Sequence, residues 1–202
     1  MAGYPNLKRH LDKYAPIITS DNKPYGLHRA RNKKFFEGAK IIALRKALQP
    51  TFSITDFPCY VSQMFNVIKT DRVNLKYLVA LLNSRLVRFW LKQKGKMQGH
   101  HFQVDQAPLL TIPVLVPDAS TQDRIGSLVD RIILVQDKMH SETITQAEYT
   151  RLERLMTQAD AAIQDEVEQL YGLEDWEKQL IADMKNVGEQ ISTTQEFVQE
   201  LL

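Results

Sequence analysis

Cysteine is nearly absent: Cys59 stands alone in 202 residues. One cysteine cannot form an intrachain disulfide, and the N-terminus lacks the basic start and apolar run of a signal peptide, so a reducing, cytoplasmic setting is the expectation. Long apolar runs are missing as well. The longest helix-like run, Leu75 to Leu91, carries Lys76, Arg85 and Arg88, which excludes a bilayer span. Glycine is sparse, at eight residues, and Gly95 and Gly99 flank lysines without following a strand or opening a helix, so no phosphate loop is expected.

Acids are scarce in one part of the chain. Residues 1–117 hold 19 Lys and Arg against 6 Asp and Glu, a net +13, whereas residues 118–202 hold 7 against 18, a net −11; the overall +2 conceals this. Such asymmetry suggests a basic module and an acidic module with different partners.

Catalytic constellations are also wanting. Cys59 has no neighbouring His and reads as a small buried residue after Pro58. His100 and His101 are adjacent, so they point apart on any regular element, and with no carboxylate or Cys cluster near them a metal site is not expected. Asn22-Lys-Pro-Tyr25 approximates the Asn-Pro-Pro-Tyr tetrapeptide of DNA amino-methyltransferases. Lys replaces the first Pro, however, and the 21 preceding residues are too few for the elements that grip S-adenosylmethionine, so the stretch reads as loop chemistry.

What is present is periodicity. After the Pro5-Asn6 turn signal, Leu7, Leu11 and Tyr14 define a short amphipathic helix. Residues 19–32 read as a loop. Lys40–Arg45, Thr51–Ile54 and Cys59–Lys69 are rich in β-branched and aromatic residues and read as strands. Asn74 is a helix N-cap, and Leu75, Leu78, Leu82, Leu86 and Phe89 continue one helix to Gly95. Residues 93–101 read as a polar loop, and Leu109–Pro117 as an edge strand or extended strip.

Beyond Asp118, Ile125, Leu128, Val129, Ile132 and Val135 form one helical stripe. Thr145-Gln-Ala-Glu148 is a capping box that opens a second, along Tyr149, Leu152, Met156, Ala159, Ile163, Val167 and Leu170, with Gly172 as terminator. A short link at residues 141–144 makes these an antiparallel hairpin. A further short helix is expected around Trp176, and the polar tail is left without a place. The fold class is therefore α+β, a small mixed sheet with flanking helices in residues 1–117, followed by an antiparallel helical hairpin in 118–202.

Phosphates repeat along a duplex, so a protein that holds DNA needs Lys and Arg spread over one face, with Arg, Asn, Gln or His on elements that can enter a groove. The +13 module supplies both. Candidate contacts are His28, Arg29, Arg31, Asn32, Lys33 and Lys34 on one loop, Arg45 and Lys46 after a strand, and Arg85, Arg88 and Lys92 at helical spacing. Lys94, Lys96, Gln98, His100, His101 and Gln103 form a second loop set. Phe35 and Phe36 read as anchors of the first loop to the core, with stacking on bases as the alternative. A merely solvated basic face would account for the charge but not for its single sign.

Several segments, taken in order, resemble a known family. Tyr4-Pro-Asn-Leu-Lys-Arg-His-Leu11, Leu27-His-Arg-Ala-Arg31, Phe36-Glu-Gly-Ala-Lys-Ile-Ile42, Tyr60-Val-Ser62, Asn74-Leu-Lys-Tyr-Leu-Val-Ala-Leu-Leu-Asn-Ser84 and Ile112-Pro113 are similar to the TaqI-type C-terminal specificity domain. Leu170-Tyr-Gly-Leu-Glu-Asp175 resembles the family's usual ending. The resemblance spans about residues 4 to 180 and implies the target-recognition part of N6-adenine DNA methyltransferases and fused restriction-modification enzymes.

By that resemblance the partners are double-stranded DNA and a catalytic methyltransferase domain, in the same parent chain or as a separate subunit, and no membrane. It implies no cofactor in this chain and S-adenosylmethionine in the parent, with Mg added if a nuclease is fused. The chain departs from the pattern in lacking the catalytic half and in carrying Ala30 where a Pro often follows the Arg. It is therefore expected to have no activity alone, whether as an excised fragment or as a stand-alone subunit. The competing reading is a protein-interaction module built on the acidic hairpin, without sequence-specific DNA binding.

Overall fold

The computed structural model describes residues 3–17, 31–140 and 144–183. Its first helix, α1 (Pro5–Asp12), forms where the turn signal predicts, yet Leu7 and Tyr14 remain exposed and α1 buries no residue. Strands β1 (Lys40–Leu44), β3 (Phe52–Thr55) and β4 (Phe65–Ile68) pair in the order β3-β1-β4. A second sheet, β2-β6-β5, joins β2 (Lys46–Ala47), β6 (His101–Gln103) and β5 (Lys96–Gln98). Both are antiparallel throughout. The α+β class is as expected, with two antiparallel sheets in place of one mixed sheet.

The leucine-rich helix is two helices. Helix α2 (Leu75–Asn83) starts at Asn74, whose side chain accepts from the Lys76 amide. It ends at Ser84, whose extended backbone (ψ 156°) breaks the spiral. The buried Ser84 hydroxyl accepts from the Val87 amide and so caps α3 (Arg85–Lys94). Asn83 has a separate task. Its amide accepts from Phe52 N at 2.9 Å and donates to Phe52 O at 2.8 Å, imitating a neighbouring strand on the edge of β3. The Leu-Leu-Asn-Ser sequence thus joins α2, α3 and the first sheet.

Other boundaries shift. Cys59–Met64 is loop, Cys59 is half-buried, and the strand of that region is confined to β4. Leu109 and Leu110 end a short helix, α4 (Gln106–Leu110), and only the following residues are extended. That strip is clamped by two tyrosines: Tyr77 donates to Leu115 O at 2.7 Å and Tyr171 to Pro113 O at 2.6 Å. Burial raises the pKa of both phenols.

Helices α5 (Ala119–Met139) and α6 (Gln146–Leu170) form the expected antiparallel pair, closed near one end by Arg124 and Glu166 at 2.6 Å; residues 141–143 lie outside the described residues. Asp118 caps α5 through the Thr121 amide and Thr145 caps α6 through the Glu148 amide. Gly172, at φ 62°, ends α6 with Gly172 N bonded to Gln169 O and Leu173 N to Glu168 O. Helix α7 (Asp175–Asp183) follows, and the tail beyond it lies outside the described residues.

The hairpin packs directly on α2. Buried Gly126 lets α5 come close enough that a Cβ there would sit 3.3 Å from Lys76 Cβ. One continuous core unites Ile41, Tyr77, Leu81 and Leu91 with Ile125, Val129, Ile163 and Val167. The change of charge at residue 118 is therefore not a gap in packing.

Candidate nucleic-acid interface

The second sheet turns the polar loop set into a surface. Residues 93–101 are not a loop; they end α3, form β5 and turn at Gly99, φ 61°, into β6. The register places Lys46 opposite Gln103, Gln103 opposite Lys96, and Gln98 opposite His101. Cross-strand partners and alternate residues share a face. Lys46, Lys96, Gln98, His101 and Gln103 therefore lie on one side, while Ala47, Met97 and Phe102 lie on the other, with Phe102 in the core. Two lysines flank a glutamine across strands spaced about 4.8 Å apart. His100 is exposed at the turn.

This face is braced from behind. Arg45 and Asp105 pair at 2.8 Å, and the second Asp105 oxygen accepts from Gln103 Nε2 at 2.9 Å. These bonds, Arg45 first, hold the Asp105 carboxyl below its ordinary pKa. Arg45 is thus committed to positioning Asp105 and Gln103. Lys94 is exposed beside the Trp90 ring, 5.8 Å from its centroid.

The α3 stripe behaves differently. Arg85, Arg88 and Lys92 are all half-buried, and the backbone amide of Arg85 donates to Gln164 of α6 at 2.8 Å. Burial lowers the Arg88 pKa, while Asp160 of α6 opposes that effect. Its Nε is buried without a partner among the described residues. The backbone of Arg85 and the guanidinium of Arg88 thus lie beside the hairpin.

The first basic loop is partly described. His28 and Arg29 lie outside the described residues, as do Asn22–Tyr25, Leu27 and Ala30. Arg31 is exposed, and Asn32 Oδ1 accepts from the Lys34 amide at 3.0 Å, capping a single 3-10 turn at Lys33–Phe35. Lys33 pairs with Glu37 at 2.9 Å, which raises its pKa. Lys34 is exposed. Neither Phe enters the core: Phe35 is half-exposed, and Phe36 stacks on Tyr60 with ring centroids 5.2 Å apart.

A groove of about 560 Å³ between β3, α2 and the hairpin has a mixed polar and apolar lining that includes Asn83, Asp160 and Gln164, and contains none of the predicted contact residues. Among the described residues no group of three or more His, Cys, Asp or Glu could hold a metal ion, and no helix is long and apolar enough to cross a membrane. The sequence reading missed Asp105 beside the sheet face and, beside the first loop, Lys69, which donates to Lys34 O and Glu37 O, Phe57, whose carbonyl accepts from Lys40, and Tyr60, which stacks on Phe36. The Phe57-Pro-Cys-Tyr60 run was the one local signal for any of them.

Comparison with known proteins follows the same lines. A type II methyltransferase of Haemophilus influenzae, M.HincII, is 30% identical over 112 residues, which are 53% of this chain and 22% of that protein. The fold is similar to that of the Type IIL restriction-modification enzyme MmeI, solved in complex with DNA, with a TM-score of 0.56 and 13% identity over 77% of this chain and 22% of that one. The chain spans about a fifth of the length of either protein. Residues 8–114 match the TaqI-like C-terminal specificity domain, more than half of the 202 residues, and the chain belongs to that family of restriction-modification specificity domains.

Proposed function

We propose that this chain recognises a short sequence in double-stranded DNA and presents it to a methyltransferase domain, in the same parent chain or as a separate subunit. The observation that carries this reading is the cation–amide–cation row Lys46, Gln103, Lys96 on a narrow antiparallel ribbon. The major groove is wide enough for a two-stranded ribbon, which β5 and β6 supply, with Lys46 of the two-residue strand β2 alongside. Gln98 and Gln103 have the donor and acceptor needed for an adenine edge, and His101 can meet a base edge or a phosphate. Lys46 and Lys96 act on phosphates as point charges, and Arg31 and Lys34 extend the contact from the first loop.

Chemistry belongs elsewhere in this scheme. An adenine-N6 methyltransferase, with or without a fused nuclease, would bring S-adenosylmethionine, and Mg in the nuclease case, on residues outside this chain. The test is selection of duplexes from a randomised library by this chain. Competition binding of the selected site against its scrambled counterpart at two salt concentrations then completes it. Recovery of one short motif, with preference retained at the higher salt, supports the reading; a steep salt dependence with no motif reduces it to non-specific binding.

The acidic hairpin supports a second contact. Leu134 of α5 and Leu155 of α6 are exposed among charged residues, which suits a protein partner better than a phosphate array. The hairpin is the proposed seat of the catalytic domain.

A further inference from the structure

The rings beside the first basic loop are placed as no solvated surface requires. Tyr60 is 65% exposed, Phe57 62% and Phe35 49%, while the Phe36 ring lies 28° from the plane of Tyr60. The backbone beneath them is tied down at four points. Cys59 N donates to Phe36 O at 3.0 Å, fully buried Lys40 donates to Phe57 O at 2.6 Å, and Lys69 donates to Lys34 O at 2.8 Å and Glu37 O at 2.6 Å. The exposed rings therefore stand on a held backbone, and the Tyr60 ring is set by Phe36, so part of the ordering cost has been met before any ligand arrives.

The surrounding charge names the ligand. Lys40 and Lys69 are bonded to carbonyls, and among the described residues neither has a carboxylate partner. Glu37 is occupied by Lys33, Arg31 and Lys34 are exposed, and the other acids near the patch in sequence are Asp56 and Asp71. Flat apolar faces within a positive field suit a group that is aromatic on one side and anionic on the other. A nucleotide is that group, and its base must be unstacked, because both faces of a paired base are covered by its neighbours.

We infer that Phe57 and Tyr60, backed by Phe36, form a stacking site for an unstacked base of the bound DNA. The inference rests on the DNA-binding reading above and adds a preference for distorted over fully paired duplex. Having this platform ready would offset part of the cost of taking a base out of the stack.

The test uses this chain and two short duplexes of one sequence, one fully paired and one carrying a single unpaired fluorescent adenine analogue. The unpaired duplex should bind roughly tenfold more tightly, within the range that base–aromatic stacking supplies, and the analogue should be quenched on binding. Tyr60→Ala and Phe57→Ala should abolish the preference and the quenching while retaining affinity for the paired duplex, whereas Tyr60→Phe should keep both. Both positions of change are exposed, and circular dichroism checks that the three variants remain folded. Equal affinity for the two duplexes without quenching overturns this inference alone, as does a preference that survives both alanine variants. Failure to bind either duplex overturns the DNA-binding reading and this inference with it.

Discussion

The basic stripe of α3 and the basic face of the second sheet draw on the same residue types, the first within eight residues of one helix and the second from Lys46 and Lys96, brought together only by strand pairing. In the fold they part. Arg85 and Arg88 sit against α6, with Gln164 and Asp160 opposite, whereas Lys46 and Lys96 stand exposed on either side of Gln103. The difference teaches that the acidic hairpin uses up part of the charge of the first module. A net of +13 overstates what the module can offer to phosphates, and the useful cations are those with no helix across from them.

The most forceful way to break this comparison is to detach α6. Val167 is 1% exposed and belongs to the core shared by both parts of the chain. Val167→Asp would bury a carboxylate without a partner and should destabilise the fold by about 3–5 kcal/mol, read as a lower urea midpoint. An unchanged midpoint would mean that the hairpin is not part of one cooperative unit, and the α3 stripe would then be free to face DNA.

Charge reversal at matched positions sharpens the comparison. Arg88→Glu sets a second acid near Asp160 in a half-buried place and should lower stability by about 1–3 kcal/mol. Lys96→Glu lies on an exposed strand and should change stability by less than about 0.5 kcal/mol while weakening every duplex. Denaturation and fluorescence anisotropy on the two variants measure both quantities. If Arg88→Glu instead leaves the fold intact and abolishes DNA binding, the two clusters are equivalent and the distinction drawn here fails.

Much of this was legible in advance, for reasons that differ by element. Helix α6 announced itself because its capping box, seven-residue stripe and Gly172 terminator all agree, each acting within a turn or two of the chain. The break at Ser84 carried a signal too, since Asn and Ser are poor mid-helix residues and good caps, but the leucine period on either side outweighed it. Strands β5 and β6 have one apolar residue each, Met97 and Phe102, too few to reveal an alternation. Arg45 with Asp105 and Lys40 with Phe57 could not be read locally, because the partners are 60 and 17 residues apart. The candidate residues of the second sheet could be named by type; the face that Lys46, Lys96, Gln98, His101 and Gln103 share depended on a sheet register that only long-range pairing determines.

Within the first loop, Arg31 separates reading from holding. It is exposed at the start of the described part of that loop, where a guanidinium can form a two-pronged contact to a guanine edge. Arg31→Ala should cost about 1–3 kcal/mol on the preferred site and leave scrambled DNA nearly unaffected in competition binding. Equal losses on both duplexes would assign Arg31 to phosphate and leave base reading to Gln98, His101 and Gln103.

The smallest effect tests the same principle between two adjacent lysines. Lys33 is held by Glu37 at 2.9 Å, so its charge is already compensated, whereas Lys34 is exposed and its side chain has no acid against it among the described residues. To displace a condensed counterion from the DNA, a compensated lysine must first give up its carboxylate, so the net charge it brings to a phosphate is small. Lys34→Ala should therefore lower the slope of log affinity against log salt by roughly one on any duplex, and Lys33→Ala by clearly less. Glu37→Gln completes the cycle: with the acid gone, Lys33 becomes available, the slope should rise by about one, and a subsequent Lys33→Ala should remove that gain. Were Lys33→Ala and Lys34→Ala to lower the slope equally with Glu37 in place, carboxylate pairing would not decide which cations serve DNA. The contrast between α3 and the sheet face would then need another cause than the acids of the hairpin.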